Sequence, residues 1–423
     1  MRVLVVGGGG REHALAWALA RDPGVDGLFA APGNAGIEEV ARCVPVDVTD
    51  VDGIVALVEA ESIDLTVVGP EAPLVAGLVD LLEARGRRAF GPTAAGARIE
   101  GSKAWAKELL LRHGVPTGRA EITDDVTRAV MLLDAFEPPY VIKADGLAAG
   151  KGVVVTADRQ EAIEAVESML VHRVFGTAGD RVLIEEHLEG REVSVLALTD
   201  GEVVLPLEPA QDFKRALDGD RGPNTGGMGA FSPVPAVVDA TARRITAEIL
   251  EPTIAALAAE GVRYRGVLYA GLMLTSDGPK VLEFNARFGD PEAQAVLPRL
   301  GSDLAEGLLA CVEGRLGEVK VAWSPESCVT VVLASGGYPG PYGTGFPIGG
   351  LDAAGKSDRV AVFQAGTARR DGRVVTASGR VLAVSALGTD LADARARAYR
   401  AVSQVSFEGA HRRNDIAMEA AGD

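Results

Sequence analysis

Residues 143–153 read KADGLAAGKGV, with Lys143 and Lys151 bracketing a run rich in glycine: Gly146, Gly150 and, just beyond, Gly152. Short apolar stretches at 140–143 and 153–156 flank it and read as strands, so the glycines form the turn of a hairpin. A hairpin tip without bulky side chains can lay its backbone N–H groups over phosphate oxygens. Lys151 would then stand at the tip, and Lys143 would meet the same phosphates from inside. The P-loop pattern G-x-x-x-x-G-K-[ST] is not met. Only three residues separate Gly146 from Gly150, and Gly152 follows Lys151 where a hydroxyl is required. The stretch reads as a lid over a nucleotide triphosphate rather than a strand-to-helix cradle. The alternative is a plain flexible hairpin, and the two bracketing lysines argue against it.

Toward the N-terminus, short apolar runs at 3–6, 28–31, 65–68 and 89–90 each end in Gly or Pro. Helix-spaced apolar residues such as Ile54, Leu57 and Val58 lie between them, after a polar start at 49–52. Continuous apolar strands alternating with helices indicate a doubly wound parallel sheet. Its ligand rim is made by the loops GGGGRE, APGNAG and VGPEAPL. GGGGRE is not a dinucleotide fingerprint, because Glu12 stands where the last glycine belongs and no acid follows the second strand at Pro32. What remains is a glycine turn that either brings backbone N–H groups to a phosphate, with Arg11 as a second contact, or binds nothing.

From about Gly101 the pattern changes. A helix carrying Lys103 and Lys107 leads to the lid, and strands follow at 182–185, 193–198, 267–274 and 280–284, with DG turns at 200–201 and 277–278. This section reads as α+β with antiparallel pairs. After Pro325 a strand at 329–334, the loop SGGYPGPYGTG and a helix near 391–405 make a third, smaller β-rich unit. The expected division is 1–102, 103–325 (lid subdomain about 117–190) and 326–423. With no repeat and no linker, the units should pack together.

The run VLEFNARFGDPEAQ (281–294) places Glu283 and Asn285 on one face of a strand, where they offer hard oxygen ligands to a divalent cation. The same alternation turns Leu282 and Phe284 into the core. Arg287, Asp290 and Glu292 follow behind a glycine turn. EEHLEGREVS (185–194) suits a hinge presenting backbone groups to adenine, with Glu192 toward a ribose. PNTGGMGAF (223–231) reads as a loop able to wrap an anion.

Lys+Arg 42 against Asp+Glu 59 gives a net charge of −17, which excludes broad nucleic-acid binding. Cys43, Cys311 and Cys328 form no CxxC pair, and no apolar stretch suits a bilayer. A cytoplasmic protein without membrane or nucleic-acid partners is expected. The five histidines are scattered, and none is assigned as a base.

Taken in order, GGGGREHALAWALA, VGPEAPLVAGLVD, EGSKAWAKELL, VIKADGLAAGKGV, QDFKRALDGDRGPNTGGMGAFSP, EFNARFGDPEAQ and ASGGYPGPYGTG resemble the glycinamide ribonucleotide synthetase family of ATP-grasp ligases, from residue 1 to about residue 416. The resemblance implies a pre-ATP-grasp N-terminal sheet, a central ATP-grasp fold and a small C-terminal domain. It also implies ligation of glycine to 5-phosphoribosylamine through a glycyl phosphate, with ATP as co-substrate and Mg²⁺ or Mn²⁺, in a monomer or weak homodimer. On that basis Lys103, Lys143, Gly146, Gly150, Lys151, Gly152, Glu185, Glu186, Leu188 and Glu192 address ATP, and Glu283 and Asn285 the metal. Arg287, Lys214, Asp212 and Asp290 serve catalysis: Arg287 at the glycine carboxylate or phosphoryl group, Asp212 at the glycine amine and Lys214 at a phosphate oxygen. Gly9, Gly10, Arg11, Glu12, Glu71, Asn224, Thr225, Gly226, Gly227 and Met228 address the substrates. Two departures stand out. Many ATP-grasp enzymes carry a further acidic metal ligand on the strand before Glu283; here that strand, VLYAGLML, carries no acid, a gap the resembled family shares. Gly8 stands where many members have Asn, with only a subtle effect on the turn expected.

Overall fold

Strands Arg2–Gly7 (β1), Gly27–Pro32 (β2), Arg42–Cys43 (β3), Leu65–Val68 (β4) and Ala89–Phe90 (β5) form a sheet of order β3-β2-β1-β4-β5. Every pairing in it is parallel. The chain is described as a computed structural model over residues 1–148 and 152–422. β1 is apolar throughout because both faces are covered. Val3 and Val5 pack with Ala14, Leu15 and Leu19 on one side, and Leu4 and Val6 with Ile54, Val58 and Leu78 on the other. Only β3 was not anticipated, since a two-residue polar edge strand has no apolar run. The parallel arrangement gathers the loops after β1, β2 and β4 on one rim.

A four-stranded antiparallel sheet, in the order Ala120–Thr123, Val182–Glu185, Tyr140–Ala144, Val153–Thr156, builds the lid region. Ile142 and Ile184 share a separate small core there with Ala129, Ala162 and Val166. The expected hairpin is present, with Lys143 paired to Val153 at its mouth. Gly150 and Lys151 lie outside the described residues.

A second antiparallel sheet runs Val204–Pro206, Arg191–Thr199, Gly266–Thr275, Gly278–Asn285. Its register slips once: Gly271 faces Glu283, but Leu272 faces Val281, leaving Leu282 unpaired in a bulge. The bulge overturns the simple alternation expected for this strand. Phe284 is buried as expected, but so is Val281, while Leu282 is only half-buried and lines the cleft.

The third large sheet joins Gln211–Asp212, Gly229–Ser232, Ser327–Ala334, Arg380–Gly388 and Val360–Gln364 in that order. Two of its strands come from well before Pro325, and the stretch read as the loop PNTGGMGAF is a strand at both ends, Arg221–Asn224 and Gly229–Ser232.

The N-terminal rim and this sheet meet at His13, whose Nδ1 accepts a bond of 2.8 Å from the Gln364 N–H. Phe363 packs edge-on against His13 and Trp17. Burial pushes the His13 pKa from 6.5 down to about 4, and the bond requires an unprotonated Nδ1. The unfolded chain therefore binds this proton first as pH falls. Stability from this group is complete above pH 6.5 and is lost between 6.5 and 4, by up to roughly 3 kcal/mol at ~1.4 kcal/mol per pKa unit. Chemical denaturation at stepped pH should show wild type losing stability relative to His13→Gln across that window; parallel pH profiles would contradict the assignment.

Candidate active site

The rim of the parallel sheet, the lid region and the second antiparallel sheet enclose a cleft of about 1470 Å³. Its basic side is built around one buried carboxylate. Glu185 Oε2 pairs with Lys143 Nζ at 2.8 Å, and Oε1 lies 3.4 Å from Lys107 Nζ. Lys143 also donates to the carbonyl of the bulged Leu282 at 3.1 Å, and Lys107 to Thr117 Oγ1 at 2.7 Å and the Gly118 carbonyl at 3.2 Å. Burial alone would raise the Glu185 carboxyl, but the ammonium groups of Lys143 and Lys107 outweigh it and hold it below the usual range. Burial likewise lowers Lys103 and Lys107.

Lys103 Nζ donates to the Gly146 carbonyl at 3.0 Å. The helix Lys103–Arg112 is fixed there by Asp145, which accepts from Ala104 N and Ser102 Oγ at 2.8 Å each and from both Nε and Nη2 of Arg181. The stem of the glycine hairpin and the start of this helix are therefore one hydrogen-bonded unit. Sequence reasoning left Lys107 and Asp145 without roles. The i, i+4 spacing of Lys103 and Lys107 on one helix face was the available signal.

Glu283 and Asn285 both line the cleft, and Gly271 opposite Glu283 adds no side chain. Burial would raise the Glu283 carboxyl, but Lys214, Lys143, Lys103 and Arg287 together hold it low. Among the described residues it nevertheless accepts no hydrogen bond and has no cation within ion-pair distance. Asn285 Oδ1 accepts from Arg287 Nη2 at 3.0 Å. No group of three or more His, Cys, Asp or Glu among the described residues could cage a metal. One unpartnered carboxylate beside an amide oxygen fits a hard cation that takes its other ligands from phosphates and water.

Asp212 is raised well above the usual range, by burial first and then by Glu292 and Glu283. Glu292 Oε1 accepts from Tyr269 Oη at 2.6 Å, which is also bonded to Ser194 Oγ at 2.9 Å. Lys214 forms an ion pair with Glu192. Two residues expected to serve different ligands thus neutralise each other.

Arg287 joins the rim to the Glu283 strand. Its Nη2 lies 2.8 Å from Glu100 Oε1, and its Nε 3.5 Å from Glu71 Oε2. Burial opposes its charge, yet Glu100 and Glu71 hold it protonated more firmly than usual. Glu100 also accepts from Ala286 N at 2.7 Å. Sequence reasoning gave Glu100 no role, although it opens the EGSKAWAKELL stretch.

Part of the N-terminal glycine turn is taken up by the chain itself. Glu12 Oε2 accepts from Gly9 N at 2.7 Å, and Oε1 from Arg11 Nε at 2.6 Å. A Cβ on Gly7 or Gly69 would strike the Glu12 side chain at 2.4 Å or 2.2 Å. A carboxylate of the chain therefore occupies the helix start where a pyrophosphate would sit. Glu12 faces neither cavity, which corrects its placement among the substrate contacts. A Cβ on Gly8 would lie 2.4 Å from the Gly33 carbonyl oxygen, so a residue larger than Gly there would push two backbones apart, more than a subtle change.

A smaller cavity of about 490 Å³ opens beside the cleft, lined by Gly8, Gly9 and Gly10, by Asp290, and by Tyr338 and Arg380. Arg380 Nη1 donates to the carbonyls of Gly226 at 2.6 Å and Asp290 at 2.7 Å, and Nη2 lies 3.2 Å from Asp290 Oδ2. Tyr338 Oη accepts from Gly226 N at 3.0 Å. Asp290, Tyr338 and Arg380 line both cavities. Burial would raise the Asp290 carboxyl, but Arg380 and Arg11 hold it low. Asn224, Thr225 and Gly226 face the main cleft, whereas Met228 is fully buried and Gly227 packs against Pro291.

The family models described as phosphoribosylglycinamide synthetase N domain, ATP-grasp (A) domain and C domain match residues 1–100, 101–293 and 328–419. The chain is 51% identical over 425 residues to the phosphoribosylamine–glycine ligase of Streptomyces coelicolor, covering 100% of both. It is 48% identical over 423 residues to that of Vibrio parahaemolyticus, covering 99% of this chain and 98% of the other. The crystal structure of the Thermotoga maritima phosphoribosylamine–glycine ligase superposes with a TM-score of 0.83 at 34% identity, covering 99% of this chain and 100% of that one. A Campylobacter jejuni biotin carboxylase, with a TM-score of 0.73 at 14% identity, covers 100% of this chain and 95% of its own, and shares the fold.

Replacing Glu185 by Gln would strand two buried ammonium groups without their counter-charge. Glu185→Gln should lower stability by about 3 kcal/mol or more in chemical denaturation; an unchanged midpoint would mean that the lysines are neutralised elsewhere.

Proposed function

Because the chain belongs to the phosphoribosylglycinamide synthetase family, a group of ATP-grasp ligases, we propose how its own residues carry out the family's reaction. The enzyme joins glycine to phosphoribosylamine with ATP, giving glycinamide ribonucleotide in purine biosynthesis. The observation that carries the site reading is the opposition, across one cleft, of the Lys103 and Lys143 side and the Glu283 and Asn285 strand.

On this reading the triphosphate lies between Lys103 and Lys143, with Gly146 and Gly152 at the lid; Gly150 and Lys151, also expected to address ATP, fall outside the described residues. Adenine rests against Glu185, Glu186 and Leu188, and Glu192 faces the ribose. Family membership brings a divalent metal, Mg²⁺ or Mn²⁺, which Glu283 and Asn285 would hold and which would supply neutralising charge to the phosphate oxygens.

The acidic groups Asp212, Glu283 and Glu292 favour a cation, which supports placing the glycine ammonium at Asp212. Arg287, held in orientation by Glu100 and Glu71, serves the glycine carboxylate and the phosphoryl group moving to it. Transfer of the γ-phosphoryl to a carboxylate oxygen breaks the bond to ADP and gives glycyl phosphate. The amine of phosphoribosylamine then attacks the carbonyl carbon, and phosphate leaves. We place that phosphosugar in the smaller cavity, between the Gly8–Gly10 loop and Arg380, with Asp290 at the junction; the Gly9 N–H itself is taken by Glu12. Catalysis is then positioning and charge stabilisation, with water excluded while the acyl phosphate exists.

For its assembly a monomer or weak homodimer is proposed. The three free cysteines suit a cytoplasmic setting, and no helix among the described residues is long and apolar enough to cross a membrane.

ADP release should require glycine and phosphoribosylamine together; release driven by another carboxylate would overturn the substrate placement. Lys143→Ala should cut kcat about a hundredfold or more while far-UV circular dichroism stays unchanged, and an active variant would remove Lys143 from the site. Glu283→Gln should raise the Mg²⁺ concentration for half-maximal turnover about tenfold or more, and an unmoved metal dependence would exclude Glu283 as a ligand.

A further inference from the structure

The segment 411–416 lies between the helix Leu391–Val402 and the small hairpin Arg215–Leu217 with Arg221–Asn224. Its backbone is bolted to the helix. Tyr399 Oη donates to the Arg413 carbonyl at 2.9 Å and accepts from Ile416 N at 3.1 Å, and Arg395 reaches the carbonyls of Asn414 at 2.8 Å and Ile416 at 3.0 Å. Its side chains are bolted to the hairpin. Asn414 bonds both oxygens of Asp218, Gly219 N donates to Asp415 Oδ2 at 2.8 Å, and His411 Nε2 sits 2.8 Å from the Ala216 carbonyl.

Arg413 is the centre of this clamp. It is 2% exposed and grips Asp415 with Nε and Nη2, each at 2.8 Å, while Nη1 reaches the Arg215 carbonyl and Asp220 Oδ1, each at 3.1 Å. Its guanidinium carbon stands 5.0 Å from the centroid of Phe213, the residue between Asp212 and Lys214. Arg413 borders the cleft, but these bonds occupy four of its five N–H groups, so it orients neighbours rather than binding a substrate.

The hairpin needs such a support. Beyond the point where Gln211–Asp212 and Gly229–Ser232 join the C-terminal sheet, its two strands pair, among the described residues, only with each other; their register is irregular between Arg215 and Leu217, and Leu217 is exposed. Two strands alone are marginally stable in water. Yet its base carries Lys214 on one side and Asn224, Thr225 and Gly226 on the other, all facing the cleft.

We propose that Arg413, clamped to Asp415 and Phe213, is a positioning residue that holds Asp212, Lys214 and the 224–226 turn in place for glycine and the moving phosphoryl group. The proposal rests on the roles given above to Asp212 and Lys214. Apart from Lys214 and its partner Glu192, the groups given to ATP lie on other elements, so loosening the clamp should weaken glycine binding more than ATP binding.

The test uses the full-length enzyme and its Arg413→Met and Arg413→Lys variants. Hydrogen exchange at the hairpin amides, residues 215–226, reads the clamp alone. Arg413→Met should speed exchange there while the parallel sheet stays protected. It should also raise KM for glycine about tenfold or more, with KM for ATP within about twofold, and Arg413→Lys should recover part of the loss. Unchanged exchange, or equal rises in both KM values, would overturn the proposal. Should Arg413→Met not fold, Asp218→Ala, which removes only the bonds to Asn414, carries the same readouts with the same expected and opposing outcomes. Asp212→Asn is the separate control. If it leaves KM for glycine unchanged, the placement of glycine fails, and the exchange result still decides the clamp.

Discussion

Glu185 carries one charge between two buried ammonium groups, and the form of the cleft follows from that arrangement. Lys143 arrives from the lid hairpin, Lys107 from the helix Lys103–Arg112 and Glu185 from the strand beside Lys143. Removing three charges from water is tolerable only where each finds a partner. Lys107 completes its set with Thr117 and Gly118, and Lys143 with the Leu282 carbonyl. Three separate elements are therefore locked together where the triphosphate is proposed to lie.

The Leu282 carbonyl is free for that bond because of a single bulge. A regular ladder would have committed it to the neighbouring strand and turned Leu282 into the core. The extra residue instead faces Leu282 to the cleft, keeps Glu283 opposite Gly271, and leaves that carboxylate without a protein partner. Local irregularity in one strand thus produces both an acceptor for Lys143 and an open oxygen ligand.

Charge is also what joins the chain's distant parts. Arg287 connects the rim acids Glu71 and Glu100 to Asn285, and Arg380 connects the C-terminal sheet to Asp290 and Gly226. The C-terminal sheet further incorporates Gln211–Asp212 and Gly229–Ser232, so the segment carrying Lys214 and the 224–226 turn is anchored at both ends in that sheet. The unit that reads in sequence as a third, smaller β-rich domain is structurally a wall of the cleft.

The sequence by itself determined the parallel sheet, the glycine hairpin and the pairing of Glu283 with Asn285 on one face, because each rests on a local pattern: continuous apolar runs, glycine spacing and strand alternation. The resemblance to a ligase family rested on motif order along the whole chain. Tertiary structure alone decided which charges meet. The bonds from Ala286 to Glu100, from Arg380 to Gly226 and from Arg11 to the Phe288 carbonyl span 186, 154 and 277 residues, distances at which no spacing rule operates. Glu12 shows the limit most clearly. Its position in the glycine loop excluded a dinucleotide, but that it caps the helix itself, cradled by Gly7 and Gly69 from two different strand ends, depends on β1 and β4 lying side by side. A side chain's partner is set by packing in three dimensions, and only patterns that repeat along one element are written locally enough to be read without it.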